Sequence, residues 1–428
     1  MTISKKNLKQ YVILIFSFII ALIVLDISDN LYVHVLAFVG FVIIVILLVK
    51  MNLLHPYCWL SGFFCLYSIG YPLMYSLGFS QKIGYSKEIM IYQLIALFVC
   101  LLFITPKEVQ YPSIDENYSM QINIGSFNKV IFAILIISII FAAIFVSQSG
   151  FSGKGEIYES GSFLLKMIFR FPLIISLLYS LSIVSYYHQN KVLPKKLIIL
   201  VSVSLVIITL FSGERDFIFR FLIVNLLILW SLKVLSVKHL FIIIPSFILL
   251  VPLSSMYKYF FLRGEISIQY NSFLQSFLSG EFESASRNLQ VLVNHSDIMR
   301  GIKGFGQLFW DIISVFNSNI QSPSAWFNEI FYAGSQSQYG FSLVGEGYIM
   351  GGVVGIIFLF AVLGLMIRMF YKYSYKNLYL LSAYFYFITI VIYSIRADFG
   401  TILAAILKQI ALVLCIIYLF ERFSKPKS

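Results

Sequence analysis

Long, uninterrupted apolar runs constrain this chain more than any other feature. Leu31 to Val49 and Val130 to Val146 are typical of them. A helix needs about 20 predominantly apolar residues to cross the ~30 Å hydrocarbon core of a bilayer. The chain has 428 residues, of which 60% are hydrophobic, enough for about twelve such helices. An outer-membrane barrel would show alternation in ~10-residue segments instead of continuous runs. Charged residues make up 12% of the chain, about half the usual quarter. That excludes a soluble globular enzyme, a disordered chain and a fibrous repeat. The fold class expected is an all-α polytopic integral membrane protein.

The runs place spans near 9–25, 31–49, 57–79, 89–105, 129–147, 163–187, 195–212, 216–232, 239–257, 346–367, 378–395 and 399–420. Lys5, Lys6 and Lys9 precede the first, and Asp26 to Asn30 after it offer no small-residue cleavage site. It reads as an uncleaved span rather than a signal peptide. The basic residues then cluster on alternate connections: Lys50, Lys107 and Lys129, Lys191 to Lys196, Lys233 and Lys238, Arg368 to Lys376, and Arg422 to Lys427. This positive-inside pattern predicts a multi-pass protein with both termini in the cytoplasm. The net charge of +12 therefore reports topology, and nucleic acid is not an expected partner. Cys58, Cys65, Cys100 and Cys415 lie in or beside apolar runs, with neither metal nor disulfide spacing. They read as buried small hydrophobes.

Three regions result: spans one to nine over 1–257, a long outward loop over 258–341, and spans ten to twelve with a cytoplasmic tail over 342–428. A structureless loop of that length would be unusual, so helices are expected within it. Phe273, Phe277, Phe282 and Leu289 fit an amphipathic helix lying on the outer leaflet. Trp310 to Ile330 fits another.

Most acidic residues fall on the outward side, several beside an arginine at a membrane edge. Ser212-Gly213-Glu214-Arg215-Asp216 and Ser394-Ile395-Arg396-Ala397-Asp398 are two such places. Arg263 and Glu265 open the long loop, Glu281 and Arg287 lie inside it, and Glu346 with Tyr348 stands where span ten begins. Charges at membrane depth are expensive and point to function. Taken singly, Arg215 with Asp216, and Arg396 with Asp398, also read as local ion pairs. Glu283 and Arg287 read as a helix-surface pair. His295 reads as incidental, and His34 as a hydrogen-bonded packing residue. Gly351, Gly352 and Gly355 suggest close helix packing. No histidine–acid cluster has metal spacing, and no cofactor motif is present.

Arginine forks suit phosphate, and neighbouring carboxylates suit a sugar hydroxyl's proton. Together they point to glycosyl transfer from a lipid-linked donor. The organisation resembles that of the Wzy-type O-antigen or capsule repeat-unit polymerases of bacterial inner membranes. The resemblance rests on Ser-Gly-Glu-Arg-Asp at 212–216, the long loop, Phe341 to Gly355 with its Gly-Glu-Gly-Tyr run, and Ile-Arg-Ala-Asp-Phe-Gly at 395–400. It implies a class C glycosyltransferase joining undecaprenyl-pyrophosphate-linked oligosaccharide units on the periplasmic face of the inner membrane. Donor and acceptor would both be lipid-linked, the membrane lipid a partner, and a chain-length regulator protein a possible one. Arg215, Arg263 and Arg396 would hold pyrophosphate or sugar, with Asp216, Arg287 and Tyr348 lining the site. The base would be one of Glu346, Asp398, Glu265 and Glu281, and no cofactor is implied. Two alternatives stay open, an O-antigen ligase and a lipid-linked oligosaccharide flippase. Against the flippase, no two related halves are visible, and Lys166, Arg170, Arg220 and Lys408 are scattered.

Overall fold

The computed structural model describes residues 5–79, 83–104, 124–149, 171–212, 216–243, 245–246, 249–250, 252–253, 273–278, 281–298, 304–317, 319–333 and 340–424. Among them the secondary structure is helical, with no strand. The helices are α1 (Lys5–Ile27), α2 (Leu31–Leu48), α3 (Pro56–Ser76), α4 (Glu88–Phe103), α5 (Ile124–Ser149), α6 (Phe171–Asn190), α7 (Lys195–Ser212) and α8 (Asp216–Ser231). Next come α9 (Phe273–Leu278), α10 (Glu281–Asn294), α11 (Gly306–Ser314) and α12 (Pro323–Phe331). The last are α13 (Leu343–Tyr373), α14 (Leu378–Ser394), α15 (Phe399–Ala405), a π-helical stretch Ile406–Ala411, and α16 (Leu412–Ser424).

Six helical stretches among the described residues are long and apolar enough to cross a membrane: those starting at Leu8, Leu31, Phe127, Phe171, Leu343 and Phe399. α4 and α14 are shorter and apolar. Helices stand at the expected spans from 9–25 to 216–232, that at 163–187 being described only from residue 171, and again from 346–367 onward. The expected span 239–257 is described only in part.

The chain divides into two compact units, residues 1–109, 271–372 and 390–404 in one, and residues 110–270, 373–389 and 405–428 in the other. In the first, α1 stacks on α4 through Phe18 and Phe98, 3.8 Å between ring centroids. α10 lies against α3 so closely that a Cβ on Gly70 would sit 2.4 Å from the Phe282 carbonyl oxygen. Gly364 gives α13 the same intimacy with α4, since a Cβ there would lie 2.5 Å from the Cys100 carbonyl oxygen.

α10 departs from the expected helix on the leaflet surface. Phe277, Phe282 and Leu289 are buried, but so are Glu283, Ser284, Ser286, Asn288 and Gln290 on its polar side. Ser286, Asn288 and Gln290 each have a long-range partner. Ser286 accepts from the Tyr71 amide at 3.1 Å, and Gln290 from the Ser86 amide at 2.8 Å. Tyr332 donates to Asn288 at 3.2 Å, and Asn294 donates to the Ile83 carbonyl at 2.6 Å. The helix is stitched into protein because its polar face would otherwise be buried without partners.

The first unit also has two distinct ends. At one, Lys87 bridges the Asp26 carbonyl and the Asp29 carboxylate, and α10 meets residues 83–86. His34 is buried there between the Tyr85 hydroxyl and the Ser28 carbonyl, the packing role expected of it. At the other, Gln10 donates to the Leu48 carbonyl, Tyr57 donates to the Leu101 and Ile104 carbonyls, and His55 packs on Tyr371. These are the two sets of connections that the charge pattern assigns to opposite faces.

In the second unit, Tyr179 of α6 donates to Asn225 of α8 and packs its tilted ring against Phe221. Ser182 of α6 donates to Asn128 of α5, and Tyr386 of α14 to Gln409 of the π-helical stretch. Cys58, Cys65 and Cys100 are buried as expected, whereas Cys415 is exposed on α16, an apolar helix whose outer side needs no protein cover in a lipid solvent.

Candidate functional site

The site is built where α13 begins. Its first turn is held by backbone hydrogen bonds to the turn before α15. The Phe341 amide donates to the Arg396 carbonyl at 2.8 Å, and the Leu343 amide to the Ile395 carbonyl at 3.1 Å. Gly340 allows the approach, with φ +70° and room for a Cβ only 3.1 Å from the Arg396 carbonyl oxygen. The short connection 395–398 thereby delivers Asp398 to Glu346.

Three carboxyl groups converge there. Glu346 is 0% exposed, Asp311 of α11 is 1% exposed and Asp398 is 3% exposed. Glu346 Oε2 accepts from the Phe399 amide at 2.7 Å, capping α15. Asp398 Oδ1 accepts from the Thr401 amide at 2.9 Å and its hydroxyl at 2.7 Å, a second cap on the same helix. Both carboxylates sit where the helix presents unpaired N–H groups and partial positive charge. Gln307 donates to Asp311 Oδ1 at 2.9 Å within α11. Gly400 stands among them, its Cβ direction 3.6 Å from both Asp311 Oδ1 and Asp398 Oδ1.

The remaining oxygens decide the chemistry. Glu346 Oε1 and Asp311 Oδ2 are buried, with no donor among the described residues. The two carboxyls lie close enough for each to perturb the other. Two carboxylates accept only, so a hydrogen bond between these side chains forms only where one of them carries a proton. Burial drives the Asp311 carboxyl above its ordinary range, opposed by its bonds to Glu346 and Gln307 and reinforced by the Asp398 charge.

Of the residues expected in the site, Glu346 and Asp398 are thus brought together. Arg396, two residues before Asp398, lays its guanidinium over the Tyr393 ring at 4.9 Å. Tyr348 is half-buried one turn from the cluster's edge, its ring 5.3 Å from that of Tyr92. Arg287 stands 3.6 Å from Glu283. That pair is the expected i,i+4 pair, but it is buried against α3 rather than on a helix surface. Asp216 lies 4.0 Å from Arg220 one turn along α8, in the second unit. Arg220 also hydrogen-bonds Tyr386, so this embedded arginine is partnered within its unit. Arg215, Arg263 and Glu265 lie outside the described residues, as does the Glu281 side chain. His295 is exposed beside Phe331, consistent with an incidental role.

Asp311 is the member that the sequence reading passed over. Its signal is present but faint: Gln307 and Asp311 are the polar i,i+4 pair of an otherwise apolar segment. The glycines also differ from expectation. Gly351 and Gly352 break α13 into two helical pieces, with Gly352 at φ +60°, while Gly347 and Gly355 provide the close packing. A Cβ on Gly355 would lie 2.1 Å from the Gly347 carbonyl oxygen. Among the described residues no group of His, Cys, Asp and Glu is arranged to hold a metal ion. Comparison with protein-family models, curated proteins and solved structures finds no match.

Proposed function

We propose that the chain is a membrane-embedded glycosyltransferase that polymerises lipid-pyrophosphate-linked oligosaccharide units on the extracytoplasmic face of a bacterial inner membrane. The observation that carries this reading is the convergence of Glu346, Asp311 and Asp398 beside Arg396 at the start of α13. In the reaction, a hydroxyl of the incoming lipid-linked unit attacks the anomeric carbon of the growing chain. The new C–O bond forms as the bond to the carrier's pyrophosphate breaks, and the pyrophosphate leaves with the electron pair. The hydroxyl proton passes to a carboxylate.

Asp398 suits that step best. It commits Oδ1 to Thr401 and takes no hydrogen bond on Oδ2 from the described residues. Glu346 is fully enclosed, so its role is positioning: it ties the start of α13 to α15 and to Asp311. Arg396 would neutralise the departing pyrophosphate by bidentate contacts. The test is genetic and chemical together. Asp398→Asn should abolish long polymer while single units still reach the surface, at unchanged protein level. Full-length polymer from that variant would remove Asp398 as the base.

A lipid-linked oligosaccharide flippase is the second reading, favoured by the break in α13, because discontinuous helices mark transport sites. A deletion strain separates the two. Surface glycan carrying one repeat unit supports polymerisation, whereas repeat units absent from the outer leaflet support transport. Polymer accumulating on its carrier would indicate the ligase instead.

A further inference from the structure

α11 has two faces of opposite character. Gln307 and Asp311 point into the carboxyl cluster and are buried. Phe305, Phe309, Ile312 and Phe316 recur at helical spacing on the other side and are 50%, 63%, 50% and 78% exposed. Four large apolar side chains in one stripe require a covering surface. The stripe does not stop at α11. Phe305 packs edge-on against Phe358 of α13, with ring centroids 5.5 Å apart, and its ring lies over Gly351. Phe358 is exposed in turn, as are Val354 and Ile357, on a helix long and apolar enough to cross a bilayer. The apolar face of α11 therefore continues into the side that α13 turns to lipid.

We propose that α11 is a membrane-surface helix, its stripe inserted among the acyl chains where α13 enters the bilayer, and its reverse face seated on Glu346 through Asp311. With 9 residues it is about 14 Å long, far short of the ~30 Å needed to span. It lies in the boundary layer instead. Half-buried Trp310 between the two faces is the side-chain type that settles at that depth. A lipid occupant is favoured over a protein one by the uncharged stripe and by its continuity with α13. The carboxyl cluster is then held at the lipid–water boundary by the helix that carries Asp311. The inference does not depend on the glycosyl-transfer reading.

Nitroxide labels test it. Single cysteines replace Phe309 or Phe316 in a Cys415→Ser background, with Val354 as the lipid-facing reference and Asn319, which is exposed, as the aqueous one. The full-length protein is reconstituted into phosphatidylcholine–phosphatidylglycerol vesicles, and collisions are measured with oxygen, which partitions into lipid, and with a water-soluble nickel chelate. Both stripe labels should favour oxygen as Val354 does, at shallower depth, while Asn319 favours nickel. Nickel preference at both stripe positions would overturn the proposal. So would labels immobilised and reached by neither reagent, because another protein surface would then cover the stripe. Measuring two exposed positions separately guards against one substitution misfolding.

Discussion

At the residue scale, the burial of the carboxyl groups governs how the cluster responds to substitution and to pH. Glu346→Gln keeps the shape and supplies an N–H donor toward Asp311 Oδ2 while still accepting from the Phe399 amide. Its stability and, on the proposed function, its polymer synthesis should both stay near wild type, because positioning needs the shape and the bonds rather than the charge. Glu346→Ala strands the Phe399 amide and Asp311 together, at about 1–3 kcal/mol for each stranded group, and thermal unfolding in detergent should show it. A loss of about 100-fold or more in Glu346→Gln, the scale of a lost acid–base group, would give the glutamate a part in the chemistry. The Asp311 carboxyl is raised by burial, so the folded state binds its proton more tightly than the unfolded state does. The sign follows: stability from this group is full below the ordinary carboxylate range and declines as pH rises through the raised value. Asp311→Asn should flatten that decline, read as thermal stability against pH or as hydrogen exchange of α11. Identical pH slopes in wild type and Asp311→Asn would sink the account of a raised Asp311 carboxyl.

At the element scale, close approach is enforced by glycines at identifiable positions. Gly70→Ala would drive a methyl group into the backbone of α10, where no flexible side chain can yield. A loss of about 1–3 kcal/mol is expected, the range of overpacked cores. Gly62 is on the same helix with open space around its Cβ direction, so Gly62→Ala should gain about 0.5–1 kcal/mol from helix propensity. The pair controls for each other in one unfolding experiment, and equal effects would mean that α3 and α10 are not in contact. The helices themselves were legible, because apolar runs of membrane length leave few alternatives. The place of α10 was not. Its apolar spacing suggested a leaflet surface, but its fate was decided by partners for Ser286, Asn288 and Gln290 on α3, near residue 86 and after α12. The cluster was half legible for the same reason: Glu346 and Asp398 stand out as acids beside spans, whereas Asp311 gains meaning only when α11 docks.

At the scale of the whole molecule, the decisive question is which end of the first unit faces the cytoplasm. Asp26, Asp29, Lys87, α10 and the carboxyl cluster belong to one set of connections. Gln10, Leu48, His55 and Tyr371 belong to the other, near Lys50 and Arg368. Basic residues gather on the second set, which the positive-inside rule predicts to be cytoplasmic. Asp29 has a side chain 96% exposed, and Lys50 is exposed at the opposite end, so both suit cysteine tagging in a Cys415→Ser background. In intact spheroplasts an impermeant maleimide should label Asp29→Cys at once, and Lys50→Cys only after permeabilisation. The converse result would turn the cluster toward the cytosol, where a soluble nucleotide-sugar donor becomes available and a lipid-pyrophosphate donor on the far leaflet does not. Orientation therefore selects the class of donor, because a buried carboxyl cluster can act only on substrates that approach its own side of the membrane.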